Sequence, residues 1–415
     1  MSDRVDVAIV GAGAAGIAAA RRLAQAQRSV LLIEALPRLG GRARTITWQG
    51  LPLDLGCGWL HSAERNPLAA LAESTGQVLD RHEGAWRRQL RSLGFTSKDQ
   101  QEAWTAYERF GEELRRAPPP SDRAGDALPP DDRWRPFMEG LSSFINGAEL
   151  DTLSVADFVA YDDAASETNW RLPSGYGALI VGLADGLPQA LGTAVSSISH
   201  EDGVVLETNR GTIGAQAAIV TVSSAVLAKG AIRFTPAIDE HLHAASCLPL
   251  GLADKVYLSL AEPEAVPPES HLLGQLNQAR TGSYYLRPFG RPIIEAFLGG
   301  GLARDLEAAG DGATFAFVTD ELRKLLGADF ARQLAPIAAT RWAGEATIGG
   351  SYSHALPGHS DARAQLARPV SAQLCFAGEA CSRKDYSTAH GAWQSGIAAA
   401  EWIDRGLAPR GRGLD

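Results

Sequence analysis

Hydrophobic and polar positions alternate along the chain in patterns that predict its elements. Val5, Val7, Ile9 and Val10 form a short apolar run that reads as a strand, and the run stops at Gly11-Ala12-Gly13-Ala14-Ala15-Gly16. The Ala-rich, proline-free stretch from Ile17 to Ala26 reads as a helix. A second apolar run, Val30–Ile33, reads as a strand and ends in Glu34. Residues 45–55 read as a strand, a Gln49-Gly50 turn and a return. Residues 98–116 read as a charged helix with Trp104, Tyr107, Phe110 and Leu114 on a core-facing side, ended by Pro118-Pro119-Pro120. The stretch to Pro130 reads as a loop, and residues 131–170 as helical and irregular. Strands are expected at Ala194–His200, Val204–Thr208 and Ala217–Val222, an alternating strand starts at Lys255, and 314–327 fits an amphipathic helix. Near the end, the apolar strand Leu374–Ala377 precedes a helix in which Ala389, Ala392, Trp393, Gly396, Ile397, Ala400 and Ile403 recur at helical spacing.

The first three elements carry chemistry. A strand, a tight glycine turn and a helix aim backbone N–H groups and the positive end of the helix at one spot, where a pyrophosphate can sit. Gly11 permits the tight turn, Gly13 lets the backbone approach phosphates, and Gly16 lets helix pack on strand. Glu34, about twenty positions on, stands where an acid accepts hydrogen bonds from a ribose. Together these predict a bound dinucleotide. Beyond Glu34, Gly40-Gly41 arrive with Arg42 and Arg44, whose charges can neutralise an anion.

Length and charge narrow the class. The 415 residues suffice for two or three domains, with 45% hydrophobic and 21% charged residues, as in globular proteins. A net charge of −9 speaks against nucleic acid and fits a cationic small substrate. Cys57, Cys247, Cys375 and Cys381 form no CxxC pair, so no metal site is expected. No leader or membrane span is apparent, and the tail from Gly406 to Asp415 is polar, so a cytoplasmic location without membrane attachment is the expectation.

Four segments resemble the flavin-containing amine oxidases, polyamine oxidases in particular. They are Glu34-Ala35 through Arg38, Gly40-Gly41-Arg42 and Thr45; Gly56-Cys57-Gly58-Trp59-Leu60-His61 with Asn66-Pro67; Ile219–Val222 with Val226-Leu227; and the C-terminal run of Arg341-Trp342, Gly350-Ser351-Tyr352-Ser353, Phe376–Ala380 and Tyr386–Ala392. The resemblance implies an α/β fold. In it, an FAD-binding Rossmann-like domain of the glutathione-reductase type (1–75, 173–240 and 344–415) is interleaved with an α+β substrate domain (76–172 and 241–343).

By the same resemblance, FAD is held by Gly11, Gly13, Ala15, Gly16, Glu34, Ala35, Gly41, Arg42, Gly56, Gly58, Trp59, Val195, Gly378, Glu379, Thr388 and Ala389. Lys255 holds a water against the flavin, His61 projects into the active site, and Trp342 and Tyr352 form an aromatic wall. Thr388 and Ala389 open a helix whose positive end stabilises charge on the reduced ring. Ser351 stands where monoamine oxidases carry the cysteine bonded to flavin, and Thr388 where they carry a second tyrosine. Non-covalent FAD and a wider slot follow.

The implied activity is oxidation of a primary, secondary or polyamine-like amine with O2, and the resemblance admits a homodimer. Glu139 and Asp157 are among the acids that could meet a distal ammonium. An L-amino-acid oxidase of the same fold stays open and needs a carboxylate-clamping arginine, for which Arg65, Arg87 and Arg88 are candidates. A flavin amine dehydrogenase and a non-catalytic flavin-binding protein are the other readings.

Overall fold

The strand Val5–Val10 lies inside an eight-stranded sheet. In order across that sheet run Arg233–Thr235, Val195–Ser199, Val204–Thr208, Gly211–Val220, Val5–Val10, Val30–Ile33 and Gln189–Ala190, with Leu374–Phe376 also pairing Gly211–Val220. The pairings around Val5–Val10 are parallel, which needs apolar residues on both strand faces, and Val7 to Val10 are all buried. The computed structural model describes residues 4–86, 89–92 and 95–407. They fall into two compact units, one of Met1–Arg44, Gly177–Leu248 and Asp361–Asp415, the other of Thr45–Tyr176 and Pro249–Ser360.

In the first unit the helix Ala14–Gln25 follows the glycine turn and buries Ala14, Ala15, Ala18, Ala19, Ala20 and Leu23. The C-terminal helix Ala389–Gly406 packs against it at small residues: a Cβ on Gly396 would lie 2.1 Å from the Ala15 carbonyl oxygen. The strand expected at 217–222 starts earlier, at Gly211. The tight turn at Asn209-Arg210 lets it pair antiparallel with Val204–Thr208 before it joins the parallel core.

The second unit is built on a five-stranded antiparallel sheet, ordered Ser270–Leu273, Ser283–Leu286, Ile293–Gly299, Ala253–Leu260 and Leu334–Ala339. The strand starting near Lys255 is not half-exposed, as strict alternation implies. It has a neighbour on each side and is buried on both faces. Register fixes those faces. Tyr257, Glu295, Tyr285 and His271 stand opposite one another across four strands, in line with Lys255 and Phe297. The other face carries Asp254, Val256, Ala296 and Tyr284.

A helical layer completes this unit. The helix Ser97–Arg116 opens with a Thr96–Asp99 capping box. Phe110 and Leu114 are buried with Phe137, Met138 and Phe158, and Trp104 meets Phe137 edge-on at 5.2 Å. The loop expected before Pro130 holds a helical turn, Ala124–Ala127. No helix of the described residues is long and apolar enough to cross a membrane.

Candidate active site

The first unit contains two glycine turns that form a candidate anion cradle. Gly11 has φ +106°, and a Cβ there would strike Thr221 at 2.6 Å. A Cβ on Gly16 would lie 1.9 Å from the Gly11 carbonyl oxygen, so only glycine fits. Gly13 is different. Its nearest neighbour to an added Cβ is Gly40 O at 3.8 Å, and it caps the Ala14–Gln25 helix with no side-chain hydrogen bond. The first N–H groups of that helix are left for a ligand.

Glu34 is buried and fixes the turn. Its carboxylate accepts the Ala12 N–H at 2.8 Å and the Leu36 N–H at 2.9 Å. Thr193 N–H donates to the Glu34 carbonyl at 2.8 Å, which brings the start of the Val195 strand to the same end of the sheet. Gly41, with φ +56°, lies against Gly13, where its Cβ would be 3.4 Å from Gly13 Cα. Arg42 pairs with Glu379 at 2.9 Å, and Glu379 also accepts the Ser387 N–H at 2.9 Å. Arg44 is exposed. Thr388 caps the last helix by accepting the Gly391 N–H at 3.0 Å and donates to the Asp385 carbonyl at 2.6 Å. The cradle therefore joins Gly11, Gly13, Gly16, Glu34, Gly41, Arg42 and Glu379, with Thr388 and Ala389 tied on through Ser387.

The second unit contains a buried lysine. Lys255 is 5% exposed. Its Nζ donates to the Asp54 carbonyl at 3.0 Å and pairs with Glu295 at 2.7 Å. Burying an ammonium is expensive unless it is paired and hydrogen-bonded, and here it is both. Asp54 is a hub: its carbonyl also accepts the Tyr257 hydroxyl at 2.9 Å, and its carboxylate accepts Thr45 Oγ1 at 2.5 Å and the Tyr176 N–H at 2.9 Å. A Cβ on Gly58 would come 3.0 Å from Lys255 Nζ, so glycine lets this turn pack closely on the ammonium. Neither Asp54 nor Glu295 was singled out by sequence reasoning. The signal for Asp54 was its place just ahead of the Gly56–Gly58 turn. Glu295 offers only an acid in an otherwise apolar strand.

Trp342 and Tyr352 are anchored to the start of the same strand. Thr340 Oγ1 accepts the Lys255 N–H at 2.9 Å and donates to the Asp254 carboxyl at 2.6 Å. Asp254 is buried against Glu307; burial first, then the Glu307 charge, pushes its carboxyl up to about 8. Glu307 accepts the Ala343 and Gly344 N–H groups at 3.0 Å each, which fixes the turn carrying Trp342. Tyr352 donates its hydroxyl to the Phe144 carbonyl, and its own carbonyl accepts the Gly251 N–H at 2.9 Å. Burial pushes the Tyr352 hydroxyl well above its ordinary range. Ser351 donates to the Ala253 carbonyl and accepts the Ala253 N–H, both at 2.8 Å.

His61 stands apart from the lysine's hydrogen bonds and shares its Nδ1 with Asn169 at 2.7 Å. Trp59 packs on Trp86, with ring centroids 4.3 Å apart. Gly378, with φ +150°, meets nothing within 4 Å of an added Cβ. Asp157 accepts the Ala355 N–H at 2.9 Å, and Glu139 accepts the Leu150 N–H at 3.2 Å. Arg65 donates to the Ala164 carbonyl at 2.7 Å, and Arg87 and Arg88 lie outside the described residues.

The chain matches the family profile "Flavin containing amine oxidoreductase" over residues 14–403. It is 30% identical to polyamine oxidase 2 of Arabidopsis thaliana, over 95% of this chain and 87% of that protein. It is equally 30% identical to polyamine oxidase 3 of Oryza sativa subsp. japonica, over 98% and 90%. Among solved structures, cyclohexylamine oxidase from Brevibacterium oxydans IH-35A superimposes with a TM-score of 0.80 at 20% identity, over 97% of this chain and 99% of that one. A putrescine oxidase bound to putrescine does so with 0.79 at 19% identity, over 97% and 99%. The chain belongs to the flavin-containing amine oxidoreductase family. It is an FAD-dependent amine oxidase, polyamine oxidase-like in sequence, and the glycine cradle with its uncapped helix start suits the FAD pyrophosphate.

Proposed function

We propose that the protein oxidises small amines at the carbon beside nitrogen. A primary amine, O2 and water become an aldehyde or ketone, ammonia and hydrogen peroxide; a secondary amine releases an amine instead of ammonia. When bound, FAD accepts the hydride equivalent and passes two electrons to O2. The observation that carries this reading is Lys255, buried and held at Asp54 and Glu295 beside Gly58, where a Cβ would crowd its ammonium.

The other roles fall to this chain's residues. Trp342 and Tyr352 offer an apolar wall that disfavours a substrate ammonium and promotes the free amine needed for oxidation. Lys255 keeps a positive donor in place for a water. Gly11, Gly13, Gly16, Glu34, Gly41 and Arg42 hold the dinucleotide, and the capped start of the Ala389–Gly406 helix supplies positive potential. Ser351, spent on the Ala253 backbone, supports a non-covalent cofactor. The two domains of the reading are a discontinuous FAD domain and a substrate domain.

An amino-acid oxidase would need an arginine with charge to spare. The buried Arg171 faces Asp80 and Glu269, and Arg287 faces Glu264. Arg291 spends its terminal nitrogens on the Pro52 and Pro173 carbonyls. Acid pairing at Arg171 and Arg287 supports an amine without a carboxylate, whereas Arg291, bonded to carbonyls alone, keeps its charge. Stopped-flow kinetics of Lys255→Met test the reading: flavin reduction or reoxidation should slow at unchanged FAD content, and wild-type rates for both would remove Lys255 from the mechanism.

A further inference from the structure

On the sheet face that carries Lys255, the row continues through Glu295 to Tyr285, and there an internal cation fills an aromatic box. Arg171 is 4% exposed. Its guanidinium carbon lies 4.3 Å from the centroid of Phe289, 4.8 Å from Trp59 and 5.1 Å from Tyr285. Asp80 and Glu269 pair with it at 2.5 and 2.7 Å. Burial opposes the charge, but Tyr285, Glu269 and Asp80 outweigh it and hold the guanidinium protonated. Three rings and two carboxylates are the chemistry that recognises an alkylammonium group.

The box is saturated from within. Glu269 also accepts the Tyr285 hydroxyl at 2.7 Å and the Phe289 N–H, and Asp80 also bonds His82. Backbone conformation is committed to it as well: Glu269, Arg287 and Phe289 all have φ between +52° and +56°, a region that side chains other than glycine enter at a cost. Arg171 Nε has no acceptor among the described residues, so the guanidinium is held by rings and charge and not by a full set of hydrogen bonds. Asp80 also lines a surface pocket of about 490 Å³ with Glu73, Gln77, Arg81 and His82.

We propose that Arg171 is a specificity-determining residue: a resident cation in an ammonium box, which restricts the substrate to amines with one cationic end. The inference rests on the amine-oxidase reading above. Two strand spacings separate the Lys255 strand from that of Tyr285, about 10 Å, a distance a short polyamine can cover. With Arg171 in place, the ring faces and both carboxylates are already engaged by its guanidinium, so a second substrate ammonium finds the box filled. Without it, two carboxylates and three ring faces stand open, with Arg291, 4.6 Å from the Phe289 centroid, and Arg81, beside Asp80, as remaining cations.

The experiment uses the FAD-loaded enzyme and compares cyclohexylamine with spermidine. Wild type should prefer cyclohexylamine. Arg171→Ala should raise the spermidine-to-cyclohexylamine ratio of kcat/KM by about tenfold or more, and spermidine should raise the Tm of the variant but not of wild type. Arg171→Lys, which keeps the cation, should keep the wild-type preference. Because Arg171→Ala leaves two carboxylates facing each other, Arg171→Ala/Asp80→Asn, which leaves one, supplies the test if the single variant does not fold. An unchanged ratio and no Tm shift in a folded variant would overturn the proposal, as would a wild type that already takes spermidine as readily as cyclohexylamine. A spermidine Tm shift in the variant, with no amine oxidised by wild type, would instead remove the oxidase reading and leave the box standing.

Discussion

Replacing Asp254 by asparagine should stabilise this protein, an unusual result for a substitution beside an active site. Asp254 is 2% exposed, its Oδ1 accepts from Thr340, and its Oδ2 finds no donor among the described residues while lying against the Glu307 carboxyl. Burial and the Glu307 charge raise its carboxyl from 3.8 to about 8, so the folded protein holds a proton there at neutral pH. The unfolded chain does not. Folding at pH 7 must therefore take up a proton across roughly three pH units, at about 1.4 kcal/mol each, or about 4 kcal/mol. The sign follows: this raised carboxyl costs nothing below about pH 4, costs progressively more as pH rises to about 8, and a constant amount above. Asparagine offers Thr340 the same acceptor and Glu307 a permanent donor, with no proton to take up. Urea midpoints of the FAD-loaded protein should place Asp254→Asn above wild type by up to about 4 kcal/mol at pH 7, with the gap closing toward about pH 4. A variant less stable than wild type at pH 7, or a gap that does not change with pH, would refute the account of a raised Asp254 carboxyl.

Two further outcomes follow from the geometry. Gly16→Ala places a Cβ 1.9 Å from the Gly11 carbonyl oxygen, so the purified variant should lose FAD, read as its flavin-to-protein ratio; full occupancy would contradict the cradle. Glu295→Gln removes the carboxylate from Lys255 and should slow flavin reoxidation by roughly tenfold, equivalent to about 1.4 kcal/mol, while Glu295→Asp recovers part of the rate; a wild-type rate in Glu295→Gln would reduce the pair to scaffolding.

Legibility differed between the two units for a physical reason. The cradle is local: Gly11, Gly13 and Gly16 are fixed by one turn, and Glu34 closes that turn onto Ala12 within 22 residues. Glycine spacing and an acid at a strand end carry that much. The lysine site is not local. Lys255 is held by a carbonyl 201 residues away, and any residue supplies a carbonyl, so nothing in the sequence marks Asp54 as its partner. Lys255 itself read as the start of an alternating strand, and resemblance alone gave it a role. Its burial comes from the two strands that flank it, a tertiary fact that alternation cannot encode. Arg171 was missed for the same reason: its two acids lie 91 and 98 residues away. Asp157 and Glu139 were legible as acids, but the backbone groups they accept from were not.

The central claim is that the flavin takes electrons from an amine. Anaerobic absorbance of the FAD-loaded protein, mixed in turn with cyclohexylamine, benzylamine, spermidine and L-amino acids, tests it most directly. The account predicts that a monoamine bleaches the oxidised flavin band and that air restores it with release of hydrogen peroxide. No bleaching by any amine at full flavin occupancy would contradict it, and bleaching by amino acids alone would move the assignment to an amino-acid oxidase.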